Sequence, residues 1–262
     1  DRKFLGFEGD ISKTQIRKLR TKSCEFISTT FVEDLKKVFA KWNAINEYSI
    51  IAQEVEDHDK DPQIIEIHYN SVFDTEGYLP QNVLIEVGSR SLTEPTEQRE
   101  INSILSLQFP DLNFASKAFS IATVLPQRTF LEKVFLLHEE FSQAPEKIRT
   151  NRLTRHLYDL EKLMDTEHGI KALKNTTLYK NIVAHREKFN AIRGIDYANH
   201  TPDKIRIVPP DTIIEKWEQD YQTMTGYMFF GNYLTFDKLI NRITKLQRRV
   251  NELNTHGKKV EA

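Results

Sequence analysis

The chain has 262 residues, of which 39% are hydrophobic and 10% aromatic, with 37 Lys and Arg against 38 Asp and Glu. That much apolar matter excludes a disordered chain, while 29% charged residues and short apolar runs exclude a membrane-spanning one, so no membrane partner is expected. A formal charge of −1 leaves any basic surface local, and the single Cys24 excludes an intramolecular disulfide and suits a reducing, cytoplasmic setting.

In chain order, Ser12-Lys-Thr-Gln15 has the form of a capping box and predicts a helix start. Phe31, Leu35, Val38, Phe39 and Trp42 recur at three and four, which carries helix to near Asn43 with a break near Cys24. From Tyr48 the period becomes extended. The runs Ile64 to Tyr69 and Val83 to Val87, with the turn Asp74-Thr-Glu-Gly77 between them, predict an antiparallel strand pair. A third extended run, Ile121 to Leu125, ends at Pro126, and Thr129-Phe-Leu-Glu132 supplies a second capping box, predicting strand, tight turn and helix.

Beyond Pro145 the pattern is helical. Leu153, Leu157, Leu160 and Met164 form one stripe, Asp211 opens a helix after Pro209-Pro210, and Leu239, Ile243, Leu246, Val250 and Leu253 alternate spacings of four and three like a short heptad seam. The predicted class is α+β, with an α+β core over residues 1–141 and a helical domain over 142–262. No repeat or low-complexity linker separates the halves, so a shared interface is expected.

Three places carry candidate chemistry. Lys133 follows the capping-box Glu132, with apolar Phe130 and Leu137 as its helical neighbours, so a cation sits at the edge of a buried stripe in the expected first turn of a helix. A helix N-terminus with a lysine beside it suits a phosphate; the plain alternative is a lysine whose stem packs on Phe130 while its head reaches water. Arg155, His156 and Asp159 are spaced to project together, away from the leucine stripe, where the acid would ligate a metal, orient the cations or accept a proton, unless this is a solvated salt-bridge face. Glu86 interrupts Val83-Leu-Ile-Glu-Val87, a run expected near the middle of a sheet, where a carboxylate needs a partner such as Arg90 or a function; the alternative is an edge strand with Glu86 facing water.

Other patterns fail. Asp57-His-Asp-Lys-Asp61 begins like a calcium loop but has Pro62 at the sixth position and His68 at the twelfth, and His138-Glu-Glu lacks the second histidine of a zinc-protease helix. The segment from Lys238 to Ala262 holds Lys238, Arg242, Lys245, Arg248, Arg249, Lys258 and Lys259, a pattern that serves either nucleic-acid phosphates or a soluble outer face.

Three segments, Val83-Leu-Ile-Glu-Val-Gly-Ser-Arg90, Val124 to Glu140 with its Leu-Glu-Lys133, and Arg152-Leu-Thr-Arg-His-Leu-Tyr-Asp-Leu160, with a later echo at Asp220-Tyr221 and Met224, resemble in order and context the AbiEii/AbiGii nucleotidyltransferases, the toxin-like half of two-gene bacterial systems. The resemblance implies a polymerase-β-like nucleotidyltransferase core with a helical C-terminal region, NTP and Mg²⁺ as cofactors, a cognate antitoxin as partner, and an acceptor such as the 3′ end of a tRNA. It places the phosphate-contacting lysine on Lys133, the acid of the Arg-x-x-x-Asp-Leu motif on Asp159, and the sheet carboxylate, a metal-facing acid, on Glu86. Arg155 and His156 are the accompanying nucleotide-binding candidates, with His156 standing where the family often has Asp.

The family's first motif, a Gly-Ser turn followed by a strand bearing Asp-x-Asp, is not found: Gly88-Ser89 has no such pair after it, and Asp57-x-Asp59 lacks the turn. Asp1 in place of a starting Met leads to the expectation that the natural chain begins upstream and carries that motif, without which transfer is not expected. The rival expectations are a non-catalytic nucleotide- or RNA-binding protein of the same fold, and a module that docks antitoxin through the Leu239 to Leu253 seam.

Overall fold

Strong local signals set the first elements. In the computed structural model, which describes residues 3–41, 48–54, 62–71, 80–89, 95–113, 115–229 and 231–253, helix α1 (Lys13–Phe26) opens at the predicted capping box. The Ser12 hydroxyl accepts from the Gln15 amide at 3.3 Å and the Gln15 side chain accepts from the Ser12 amide at 2.8 Å. The expected break falls three residues beyond Cys24, as a π-helical turn over Ile27–Phe31 before α2 (Val32–Ala40). Its cause is local: the Ser28 hydroxyl donates to the Cys24 carbonyl and the Thr29 hydroxyl to the Glu25 carbonyl at 2.6 Å, competing with the helical ladder. Trp42, Asn43, the 74–77 turn, the Asp57–Asp61 loop, Arg90, Lys258 and Lys259 lie outside the described residues.

The chain forms two compact units, Asp1–Ser91 with Lys188–Asn190, and Leu92–Glu187 with Ala191–Ala262. In the first, β1 (Tyr48–Ala52), β2 (Gln63–Tyr69) and β3 (Asn82–Val87) form an antiparallel sheet in the order β1-β2-β3, with Ile50 opposite Ile67 and Ile65 opposite Ile85. Those residues and Val87 make one apolar face, which packs with Ile27, Val32 and Leu35 of the helical segment. The opposite face carries Glu66, His68 and Leu84, and Glu86 pairs across to Ile64 on that side. Of the two readings of Glu86 the mid-sheet one is corrected and the edge one holds: β3 is an edge strand among the described residues, and Glu86 is exposed. A second cluster gathers Ile11, Ile16 and Leu19 around Phe189.

In the second unit, β4 (Thr96–Ile101) and β5 (Phe119–Val124) pair antiparallel, Thr96 opposite Val124 and Ile101 opposite Phe119, with the short α3 (Ile104–Gln108) between them. Strand β4 has no alternation to betray it; Thr-Glu-Gln-Arg-Glu-Ile becomes extended by pairing with β5.

Helix α4 (Pro126–Phe141) then starts earlier than the second capping box predicts. Pro126 occupies its first position, the Arg128 amide already donates to the Leu125 carbonyl at 3.0 Å, and no side chain caps the end. Thr129-Phe-Leu-Glu132 thus lies inside the helix, and Lys133 is in its second turn rather than at its N-terminus. Lys133 therefore lies beyond the first turn, the place where the helix dipole would favour a phosphate.

Phe130, Leu131, Val134, Phe135 and Leu137 of α4 are fully buried and meet α5 (Thr154–Leu163), α6 (Glu167–Lys174) and α7 (Thr176–His185). Because α4 packs on these helices, the compact units do not divide at 141/142, where the separation into core and helical domain was expected. The stripe Leu153, Leu157, Leu160 and Met164 is buried as predicted. Helices α8 (Ile214–Met228) and α9 (Phe236–Asn251) pack on α5 and on each other. Leu239, Ile243, Leu246 and Val250 are buried inside this unit, so the heptad-like seam serves an intramolecular contact and does not present a docking face. Arg242 and Arg249 of α9 both bind the Asp165 carboxylate just beyond α5, while Lys238, Lys245 and Arg248 form a solvated face.

Candidate functional site

Helices α4 and α5 bring three of the predicted residues together. The Lys133 ammonium lies 2.6 Å from Oδ2 of Asp159 and 3.3 Å from Nδ1 of His156. The lysine side chain is 19% exposed and the Asp159 side chain 40%, so the ion pair sits in a recess with one open side. Burial, followed by the Lys133 and Arg155 cations, pushes His156 down to about 4. The imidazole is neutral near pH 7, and because an ammonium only donates, Nδ1 is the acceptor and the ring proton resides on Nε2. Two of the three ammonium N–H groups are then engaged.

Arg155 is exposed while His156 is buried, so α5 does not present Arg155, His156 and Asp159 as one polar face. The reason is packing: α5 is held by α4 as well as by α8 and α9, which buries a wider arc than its leucine stripe alone. Glu86 belongs to the first unit and stands exposed on β3. Among the described residues no three or more His, Cys, Asp or Glu side chains are grouped to hold a metal ion.

Several residues to which the sequence assigned no role support the recess. Asp220 of α8, part of the echo Asp220-Tyr221, accepts from the Arg152 amide at 2.6 Å, from the Thr154 amide at 3.1 Å and from the Thr154 hydroxyl. It caps α5 from a neighbouring helix, and so fixes where His156 and Asp159 stand. Met224 lies within sulfur contact of the same hydroxyl, and the Tyr221 hydroxyl donates to the Leu234 carbonyl at 2.7 Å. The acids of His138-Glu-Glu140 are likewise structural. Glu139 binds the Arg186 guanidinium through both oxygens and His200 at 3.3 Å, and Glu140 accepts from the Arg149 amide at 2.6 Å and its guanidinium. Glu132, expected to cap, instead binds Arg186 and Arg128. The signal available for these was a run of charges on an otherwise apolar helix, which demands buried partners.

Burial also drives His138 down to about 4, so two histidines are neutral in the folded protein and cationic when unfolded below pH 6.5. With depressed folded values, the unfolded chain binds more protons between about pH 6.5 and 4, and stability falls as the pH is lowered through that window. Each histidine is expected to cost about 1–2 kcal/mol on going from pH 8 to pH 5. Urea midpoints at the two pH values measure this, and His156→Gln is expected to reduce the difference; an undiminished difference would contradict the assignment.

A family model described as nucleotidyl transferase AbiEii toxin, type IV TA system, matches residues 22–242. That span contains the Lys133, His156 and Asp159 recess, the Asp220 cap and Glu86. Comparison with curated proteins and with solved structures returns no match.

Proposed function

Since the chain belongs to the AbiEii nucleotidyl transferase toxin family of type IV toxin–antitoxin systems, we propose that it transfers a nucleotidyl group from an NTP to an RNA acceptor, the 3′ end of a tRNA among the candidates, and that Lys133 and Asp159 serve the transfer. The observation that carries this reading is the half-enclosed ammonium of Lys133, held between Asp159 and a neutral His156.

In the proposed reaction the acceptor hydroxyl oxygen forms a bond to the α-phosphorus while its proton passes to water, the bond from that phosphorus to the bridging oxygen breaks, and pyrophosphate leaves with the electron pair. Lys133 meets the negative charge that grows on the phosphate oxygens. Asp159 aims the ammonium, and His156 accepts one of its N–H groups without adding a competing positive charge. Arg155, exposed one turn before Asp159, faces the solvent side by which an anionic acceptor would approach. A cognate antitoxin is the partner that family membership suggests, and no helix of the described residues is long and apolar enough to cross a membrane.

Among the described residues no group of three or more His, Cys, Asp or Glu is placed to hold a metal ion, Asp159 is paired with Lys133, and Glu86 is exposed on β3. No step above is carried by Mg²⁺. The pairing of Asp159 with Lys133, which takes up that acid, favours a second reading, a non-catalytic nucleotide- or RNA-binding protein of this fold.

Incubation of the protein from its complete reading frame with labelled NTPs and RNA separates the two. Transfer is expected, and Lys133→Ala is expected to slow it by about a hundredfold or more, as for the loss of one preorganised donor to a developing anion. Equal labelling by both proteins would remove Lys133 from the reaction, and NTP binding without any labelled product would favour the non-catalytic reading.

A further inference from the structure

Helix α5 also carries the first rung of an aromatic ladder. Tyr158 directly precedes Asp159, and its ring is stacked on Phe229 with centroids 4.0 Å apart and planes 26° apart. Phe229 in turn meets Tyr233, 5.3 Å away and 48% exposed. The Lys162 ammonium stands 5.1 Å over the Tyr158 ring, and Arg155, one turn before Tyr158, is exposed. Core aromatics of this unit, such as Phe130, Phe135 and Trp217, are fully enclosed; here the rings instead step outward from half-buried to exposed.

We infer that Tyr233, the exposed end of this ladder, backed by Phe229 and Tyr158 and with Lys162 and Arg155 on the same α5 face as Tyr158, stacks an unpaired nucleotide of a single-stranded RNA end. The choice of RNA rests on the nucleotidyl-transfer reading; the choice of a single strand rests on the geometry. Aromatic faces accept bases that are not paired, and a duplex presents none at its sides. The cations are spread along the helix rather than converged on one point, which complements successive backbone phosphates better than one triphosphate. Lys133 is engaged separately, by Asp159 and His156, so the stacking residues do not duplicate it.

Fluorescence anisotropy of a labelled single-stranded RNA octamer, titrated with the full protein, tests this. The single strand is expected to bind more tightly than a blunt RNA duplex of the same length. Tyr233→Ala is expected to weaken it by about tenfold, the loss typical of one stacked base. Tyr233→Trp, which keeps a ring, is expected to retain binding, and Phe229→Ala to weaken it further. Because Tyr233 is half exposed, an unchanged thermal melt establishes that its alanine variant is folded.

Equal affinity of wild type and Tyr233→Ala, equal binding of single strand and duplex, or loss of NTP affinity with RNA affinity unchanged would each overturn the inference. Failure of the transfer reading is a different result: no labelled product with any acceptor, while octamer binding still falls in Tyr233→Ala.

Discussion

Arg186→Met is expected to destabilise the protein by about 3–5 kcal/mol, read as a lowered denaturant midpoint with little change in slope. Glu139 is 2% exposed and Arg186 7%, and the guanidinium binds both Glu139 oxygens and one oxygen of Glu132. Methionine fills much of the volume but leaves a carboxylate buried with no cation bound to it, beside His200 and the Tyr197 side chain. The energetics are those of an orphaned charge rather than of a lost attraction, so the pair's own net value does not enter. A variant that also carries Glu139→Gln is therefore expected to recover part of the loss, and a double variant no more stable than Arg186→Met would contradict this account.

The pH dependence supplies an independent check. Burial raises the Glu139 pKa, but hydrogen bonds from Arg186 and His200 outweigh it and hold the group below its ordinary value. In the wild type that contribution is present above the unfolded value of about 4.5 and is lost as the pH falls through the lower folded value. Without Arg186 the burial effect dominates and the folded pKa moves up. The stability difference between the two proteins is then expected to shrink on acidification, as the orphaned acid takes up a proton.

Asp220→Ala is expected to cost about 2–4 kcal/mol, made up of a lost helix cap and backbone donors left without their acceptor in a half-buried place. Its carboxylate receives the Arg152 and Thr154 amides and the Thr154 hydroxyl. Arg152 has φ of 59°, a left-handed conformation that a non-glycine residue holds only when its surroundings impose it, and the bond to Asp220 is one of them. Asp220→Asn keeps an acceptor oxygen and is expected to lose about half as much. Equilibrium unfolding of the two variants measures the effect, and a neutral Asp220→Ala would show that α5 is held by its leucine stripe alone. Any transfer activity is expected to fall with it, since the cap sets the position of Asp159 and His156 opposite Lys133.

What could be read from the chain alone was whatever neighbouring residues determine between themselves. The Ser12–Gln15 box, the strand pair at 64–69 and 83–87, and the buried stripe from Leu153 to Met164 all stand as read, because reciprocal hydrogen bonds, β-branched runs and a three-four spacing act within a few residues. Lys133 and Asp159 were legible as charges on largely apolar helices. Their meeting at 2.6 Å was not, because it depends on how α4 and α5 are rotated against each other. Tertiary structure alone decided that Pro126 and not Thr129 begins α4, that the seam at Leu239 is consumed inside its own unit, and that Glu86 stands on an edge. It also decided that Thr96–Ile101 is a strand at all, and that Asp220 caps a helix 66 residues away in sequence. Each of these turns on which distant surface satisfies a backbone donor or covers an apolar face, and such a partner leaves no periodic trace in the segment it completes.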